Sequence, residues 1–166
     1  MMQYSSANGT PGDMFRCIIE LKDGTIAAAG NDGIAYVQDD AVVKVYDSES
    51  GIVNVKTLCL YESPDGKVYA GSDGGGISVL DGGKVVKSIN KSNGLSSDII
   101  LRMVYDRKSD GIIVVTSNGL CYIDKSGKVY SLSEFPYSNN YDVINDGNGS
   151  SWVLGSAGIY VVDTEN

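Results

Sequence analysis

Apolar and polar positions alternate along most of this chain in runs of about five to eight residues, each ending in glycine with asparagine, aspartate or serine. A period of two predicts short β-strands joined by tight turns, and no long helical pattern interrupts them. The glycine-rich stretch "YAGSDGGGISVLDGG" (69–83) tests that reading. A phosphate-cradling loop needs a strand, glycines and then a helix whose first amides meet the anion. Here Ile77-Ser78-Val79-Leu80, a short alternating strand, follows instead and is closed by a second Asp-Gly-Gly turn. The stretch is therefore a turn between strands, lengthened by one or two glycines.

The same stretch recurs. Beside "GSDGGGISVLD" stand "GNDGIAYVQD", "TSNGLCYID" and "GSAGIYVVD", each a small residue, a polar residue, glycine and an apolar run ending at aspartate. Their glycines Gly33, Gly76, Gly119 and Gly158 are spaced 43, 43 and 39 residues apart, the period of propeller blades. A second mark precedes each copy: "KDGTIAAAG", "PDGKVYAGS", "SDGIIVVTS" and "GNGSSWVLGS" place a turn before a strand that leads into the motif. Glycine in these turns supplies the positive φ of a tight hairpin.

Aligned on both marks, the second unit reads as four strands, "VKTLCLYES", "GKVYAGS", "GISVLD" and "KVVKSIN", with "KSNGLSSD" leading onward. The first and third units match it, whereas the fourth has "YDVIND", "SWVLGS" and "GIYVVD" and no outer strand. "ANGTPGD" matches "SNGLSSD", which makes "MMQY" the tail of a preceding outer strand. The expected fold is all-β, a partial β-propeller of three complete four-stranded blades and a partial fourth in one domain spanning 1–166. Its units fall at 15–47, 55–90, 99–133 and 140–166, with 1–4 as the strand tail. Inner strands such as "IAAAG", "VYAGS" and "IIVVTS" are apolar on both faces, as burial between neighbouring sheets requires.

Composition changes the picture in two ways. At net charge -8, with 13 scattered basic residues, the chain would repel a phosphate backbone, so nucleic acid is not an expected partner. No stretch approaches the about 18 apolar residues of a membrane span, and "MMQYSSANGT" lacks the basic start and apolar stretch of a secretory leader. The chain is expected to be cytoplasmic if complete as given, or a piece of a longer exported protein.

The repeats also resemble a known family. "NGLSSDIILRMVYDRKSDGIIVVTSNGLCYID" and "NGTPGDMFRCIIELKDGTIAAAGNDGIAYVQ" are similar to the two-component regulator propeller repeat, whose pattern runs "NGL", a short strand, "DG", "lWvgT", "GGl" and a final "yd". The resemblance covers nearly the whole chain. The motif's tryptophan survives only as Trp152, with Ala27, Tyr69 and Ile113 at the matching places. What the resemblance implies is the periplasmic or extracellular sensor region of a bacterial membrane-anchored receptor, followed in its parent by a β-sandwich, a membrane helix and a histidine kinase or diguanylate cyclase. Any membrane link would run through those parts. The expected role is non-catalytic ligand sensing or signal transmission; the alternatives are a freestanding propeller scaffold for protein partners and a carbohydrate-active propeller enzyme.

Enzyme readings lack parts. The chain has no histidine, the commonest general base and metal ligand, which removes serine triads and histidine-dependent propeller lyases. A carboxylate pair could act on glycosides, but Asp23, Asp65 and Asp110 sit beside glycine in repeated turns, and Asp39, Asp81, Asp124 and Asp163 end strands. Repetition in every blade marks turn carboxylates that bond their own backbone. "NDGNGSS" (145–151) lacks the alternating ligands and distal glutamate of a helix-loop-helix calcium site, so neither metal nor cofactor is expected. Cys17, Cys59 and Cys121 are odd in number, without a Cys-x-x-Cys pair. Cys17 and Cys59 stand at equivalent positions of neighbouring blades whose layers lie about 10 Å apart, so all three are expected to be buried free thiols.

Propeller function concentrates on the rim shared by the inter-blade connections and the loops between second and third strands. That rule selects Asn31, Asp32, Ser72, Asp73, Asn93, Ser117, Asn118, Asn139, Asn140 and Tyr141 as candidate ligand-binding residues, with Asn8, Tyr137 and Ser156 nearby. Amides and hydroxyls beside an aromatic ring suit a small-molecule or carbohydrate ligand; the same residues are also ordinary turn formers. The first and last sheets would leave open edges and apolar faces, which predicts homo-oligomer formation in which "MMQY" supplies the strand missing from the last unit.

Overall fold

Fifteen strands in four antiparallel sheets make up the computed structural model, which describes residues 1–132 and 139–162. Blade 1 holds β1 (Phe15–Glu20), β2 (Ile26–Gly30), β3 (Ile34–Gln38) and β4 (Ala41–Tyr46). Blade 2 holds β5 (Thr57–Glu62), β6 (Val68–Ser72), β7 (Ile77–Asp81) and β8 (Lys84–Ile89). Blade 3 holds β9 (Ile100–Asp106), β10 (Gly111–Thr116), β11 (Gly119–Ile123) and β12 (Val129–Ser131). Blade 4 holds β13 (Asn140–Asn145), β14 (Ser151–Gly155) and β15 (Gly158–Val162), with no fourth strand among the described residues. Each sheet runs in chain order, and β1, β5, β9 and β13 pack successively on one another. First strands therefore line the axis and last strands the periphery.

Period-two alternation gives every blade a forward and a backward face. Cross-strand pairing makes Ala29, Gly71, Val115 and Leu154 equivalent, and likewise Ala28, Ala70, Val114 and Val153. The first set points toward the next blade and the second toward the previous one. In β10, Ile113 and Val115 join the core shared with blade 4, while Ile112 and Val114 join the core shared with blade 2. Ala27 and Ala29 of blade 1 meet Leu60, Val68 and Ala70 of blade 2 in a third core. The hydrophobic interior is thus three inter-blade seams; β6 and β10 are packed on both faces, and β10 is buried along its whole length.

Turn chemistry follows the predicted glycines with one departure. Gly24 and Gly66 take φ +85 in the first turns of blades 1 and 2. In blade 3 the left-handed residue is Asp110, at φ +53, and Gly111 opens β10 instead. Gly111 is there for space, because a Cβ would fall 2.3 Å from the Tyr122 hydroxyl oxygen. One further expectation is corrected. Cys17 is half-buried, packed from the forward face of β1 against the edge of the core shared by blades 1 and 2; Cys59 and Cys121 are buried. Met1–Tyr4 carry no strand.

Candidate ligand-binding rim

One hydrogen bond, repeated in every blade, builds the rim. The amide that opens each second-to-third-strand loop donates to the carbonyl just before or at the start of the first strand: Asn31 to Met14 (3.0 Å), Asp73 to Lys56 (2.9 Å), Ser117 to Ile99 (3.0 Å) and Ser156 to Asn139 (2.9 Å). An isolated bridge between Asp73 and Ile99 ties the blade 2 loop to blade 3. The short loops and the long connections therefore share one end of the arc.

The predicted residues divide by what already holds them. Ser72 is buried, its hydroxyl donating to the Gly76 carbonyl (2.9 Å) and accepting from the Gly75 amide (3.0 Å). Asn93 closes a 3₁₀ turn by accepting the Asn90 amide at 2.9 Å. Asn140 is buried in β13. Asp73 pairs with Lys56, and Asn31 accepts from Arg16 Nε at 2.8 Å. Ser117 shares a hydroxyl contact with Ser97 at 2.8 Å, and the Asn118 amide donates to the Thr116 hydroxyl at 3.1 Å. Asp32, Asn118, Asn139 and Tyr141 keep exposed side chains. Tyr137 and Asp163 lie outside the described residues.

Sequence reasoning missed a bulge that recurs in each first strand. Pairing skips one residue between Phe15 and Cys17, Thr57 and Cys59, Ile100 and Arg102, and Asn140 and Asp142, leaving Arg16, Leu58, Leu101 and Tyr141 as the extra residues. A bulge re-aims the side chain it carries. It brings Arg16 to the rim asparagine Asn31, and it leaves Tyr141 exposed at the matching place in blade 4. In "FRCIIEL" the arginine reads only as the polar member of an alternation, so no local signal announces it.

Turn carboxylates keep to the structural task expected of them. Asp124 accepts from the Ser126 hydroxyl and from the Ser126 and Lys128 amides, and these bonds hold its carboxyl below the usual range. Asp146 is lowered chiefly by the Trp152 indole, which donates to it at 2.9 Å. Among the described residues no three His, Cys, Asp or Glu side chains converge as a metal site.

Two concavities need separating. At the opposite rim a groove of about 530 Å³ between blades 1 and 2 is lined by Tyr36, Tyr46, Glu62 and Asp65. Its floor is pinned by Lys22, whose amide donates to Glu62 (2.8 Å) and whose ammonium donates to the Ser63 (2.9 Å) and Pro64 (2.6 Å) carbonyls. Burial pushes the Tyr36 hydroxyl's pKa up, away from ionisation. A larger hollow of about 640 Å³ lies on the backward face of blade 1 over Ile26, Ala28, Ala35 and Val37. Those positions correspond to Val68, Ala70, Ser78 and Leu80, all buried against blade 1, so the hollow is half of an inter-blade seam.

Blades set around a common axis, with first strands innermost, define the β-propeller class. No family profile and no curated protein matches the chain. Among solved structures it is similar to the extracellular domain of a hybrid two-component system protein from B. thetaiotaomicron, with TM-score 0.81 and 18% identity over 99% of this chain and 24% of that one. It is also similar to streptogramin B lyase, with TM-score 0.74 and 14% identity over 93% of this chain and 53% of that one. The WD40 propeller domain of Doa1 matches at TM-score 0.67 and 21% identity over 86% of this chain and 47% of that one. The chain thus spans about a quarter of the first of these and about half of the other two. Among the described residues no helix is long and apolar enough to cross a membrane.

Proposed function

We propose that the chain is a non-catalytic segment of a bacterial signal-transduction propeller, located in the periplasm or outside the cell, that senses a small polar ligand at the loop rim. The observation that carries this reading is the match of 99% of the chain, at TM-score 0.81, to the extracellular domain of a hybrid two-component system protein. The sequence resemblance to the two-component regulator propeller repeat supports it independently. A chain without histidine is poorly equipped for the acid-base chemistry of a lyase. The exposed side chains of Asp32, Asn118, Asn139 and Tyr141 offer donors, acceptors and a ring suited to a hydroxyl-rich ligand such as a carbohydrate.

An antibody raised against the chain and used to blot fractionated cells of the source organism tests the reading. A band several times larger than 17.6 kDa in the membrane fraction is expected. A soluble band at the size of this chain overturns it. Titration of the membrane-bound form with a panel of oligosaccharides then tests the ligand class, with Tyr141→Ala expected to weaken binding about tenfold through loss of stacking.

A further inference from the structure

Two grooves repeat one blade apart on the rim opposite the candidate ligand site. The larger, of about 530 Å³ between blades 1 and 2, and the smaller, of about 200 Å³ between blades 2 and 3, share Pro64 and Asp65 of one turn as a common wall. Strand pairing makes them the same place in successive seams. Val68 pairs with Leu80 in the first and Ile112 with Ile123 in the second, and each pair runs into an aspartate, Asp81 or Asp124, at the turn that follows. Both grooves have a four-stranded blade on either side, so their walls are complete within the chain.

Their lining combines aromatic rings with carboxylates. Tyr36 and Tyr46 meet edge to face at 5.5 Å in the larger groove, and Tyr69 and Tyr105 line the smaller one. Asp23, Glu62, Asp65 and Asp81 line the first, and Asp65, Asp110 and Asp124 the second. Against these six carboxylates the lining holds two ammonium groups, those of Lys22 and Lys125, a balance of -4 within a chain of -8. Lys22 supplies the groove with no counter-ion, because its ammonium is turned to the Ser63 and Pro64 carbonyls at 2.9 and 2.6 Å. Asp65 pairs with Lys67 and Asp110 with Lys125 at 4.0 Å, whereas among the described residues Asp23, Glu62, Asp81 and Asp124 have no cation partner. The tyrosines register the resulting field. Burial is the first cause that raises the Tyr36 hydroxyl, and Tyr46, Glu62 and Asp23 add to it; at Tyr105 the leading cause is its hydrogen bond to Asp110.

We infer that this rim docks an extended, proline-rich segment of a partner protein that carries lysine or arginine at every third residue, one cationic side chain entering each groove. Spacing and charge select that occupant. Packed sheets lie about 10 Å apart, and a polyproline II segment, with three residues per turn and a rise of about 3.1 Å, returns to the same face after about 9 Å. An extended β segment repeats on one face after about 7 Å and misses the second groove. Tyrosine-lined grooves suit a polyproline II backbone, whose conformation is already ordered before it binds. Cations also settle over tyrosine rings, as Lys44 Nζ does at 5.3 Å from the Tyr46 centroid. The surface is separate from the loop rim, and the inference does not rest on the sensing reading.

Fluorescence anisotropy of a labelled peptide of three Pro-Pro-Lys repeats, titrated with the 166-residue chain at about 0.1 M salt, tests the inference. Saturable binding is expected, at least about tenfold tighter than that of a peptide of the same composition with its lysines contiguous. Asp81→Asn in the first groove and Asp110→Asn in the second should each weaken binding about tenfold, and the double variant further. Urea midpoints should stay unchanged, since both side chains are exposed and asparagine tolerates the left-handed backbone of Asp110 at φ +53. Asp32→Asn, on the loop rim, should leave affinity as it was. Absence of binding overturns the inference. So does equal affinity for the two peptides, which is attraction to net charge alone, or displacement of the repeat peptide by an equimolar amount of spermidine, which marks a small-cation site. A loss in Asp32→Asn as large as in the groove variants overturns it as well.

Discussion

Arg102 and Asp142 form an ion pair at 2.9 Å on the two first-strand positions that, in blades 1 and 2, are held by Cys17 and Cys59. Successive first strands pack on one another near the axis, and Arg102, on the forward face of β9, there meets its counterpart in blade 4. The pair is half-exposed, at 50% and 44%. Exposed ion pairs contribute under about 1 kcal/mol. A double-mutant cycle with Arg102→Ala and Asp142→Ala, read by urea unfolding, is expected to give a coupling below that figure which shrinks further in high salt.

Alkaline pH should weaken the fold. Burial pushes the Cys59 thiol up to about 12, with desolvation the leading cause, and burial likewise raises the Tyr36 and Tyr61 hydroxyls. Because the folded value lies above the unfolded one, stability is fully present below the unfolded pKa and is lost as pH rises toward the folded value. Urea midpoints should fall steadily from about pH 9 upward, and Cys59→Ala should reduce that slope. Alkylation of the native chain should label the half-buried Cys17 well before the buried Cys59 and Cys121.

Gly71 is required for space rather than for its backbone angle. A Cβ there would lie 2.6 Å from Ile100 Cγ2 and 2.7 Å from Cys59 Sγ. The equivalent Ala29 also has a cysteine, Cys17, as its cross-strand partner, but Thr57 stands where Ile100 stands in the following blade, and Val115 and Leu154 are paired with Arg102 and Asp142. Gly71→Ala should cost about 1–3 kcal/mol by overpacking. Combining it with Cys59→Ala should recover part of the loss, which thermal unfolding of the two single variants and the double variant measures.

Asn93 distinguishes a loop fastener from a ligand contact. Its side chain closes the turn before β9, so Asn93→Ala should cost about 1 kcal/mol of stability. Ligand affinity in the same variant should be unchanged once folding is complete. Asp98→Ala should act in the same direction, because its carboxylate accepts the Lys91 amide of that turn.

Removing a seam residue should exceed all of these effects. Ile113 is fully buried between blades 3 and 4. Ile113→Ala should destabilise by about 2–5 kcal/mol, since the rigid sheets on either side cannot collapse into the void. Denaturant unfolding followed by circular dichroism reads this directly.

The amino-acid sequence by itself determined the blades, because alternation, glycine turns and the repeat period act over a few neighbouring residues and need no distant partner. Gly33, Gly76, Gly119 and Gly158 place the third strands, and Asn8 with Asp13 and Asn93 with Asp98 announce the loops they fasten. Tertiary structure alone decided which side chains remain available at the rim. Ser72 and Asn93 look like ligands in sequence but are held by backbone groups of their own loops, while Arg16 reaches the rim through a bulge that alternation conceals. It also decided the seams. Whether Ala28 or Trp152 is core or surface depends on the sheet that stands opposite, and that neighbour is set by packing across blades rather than by the residues alongside in the chain.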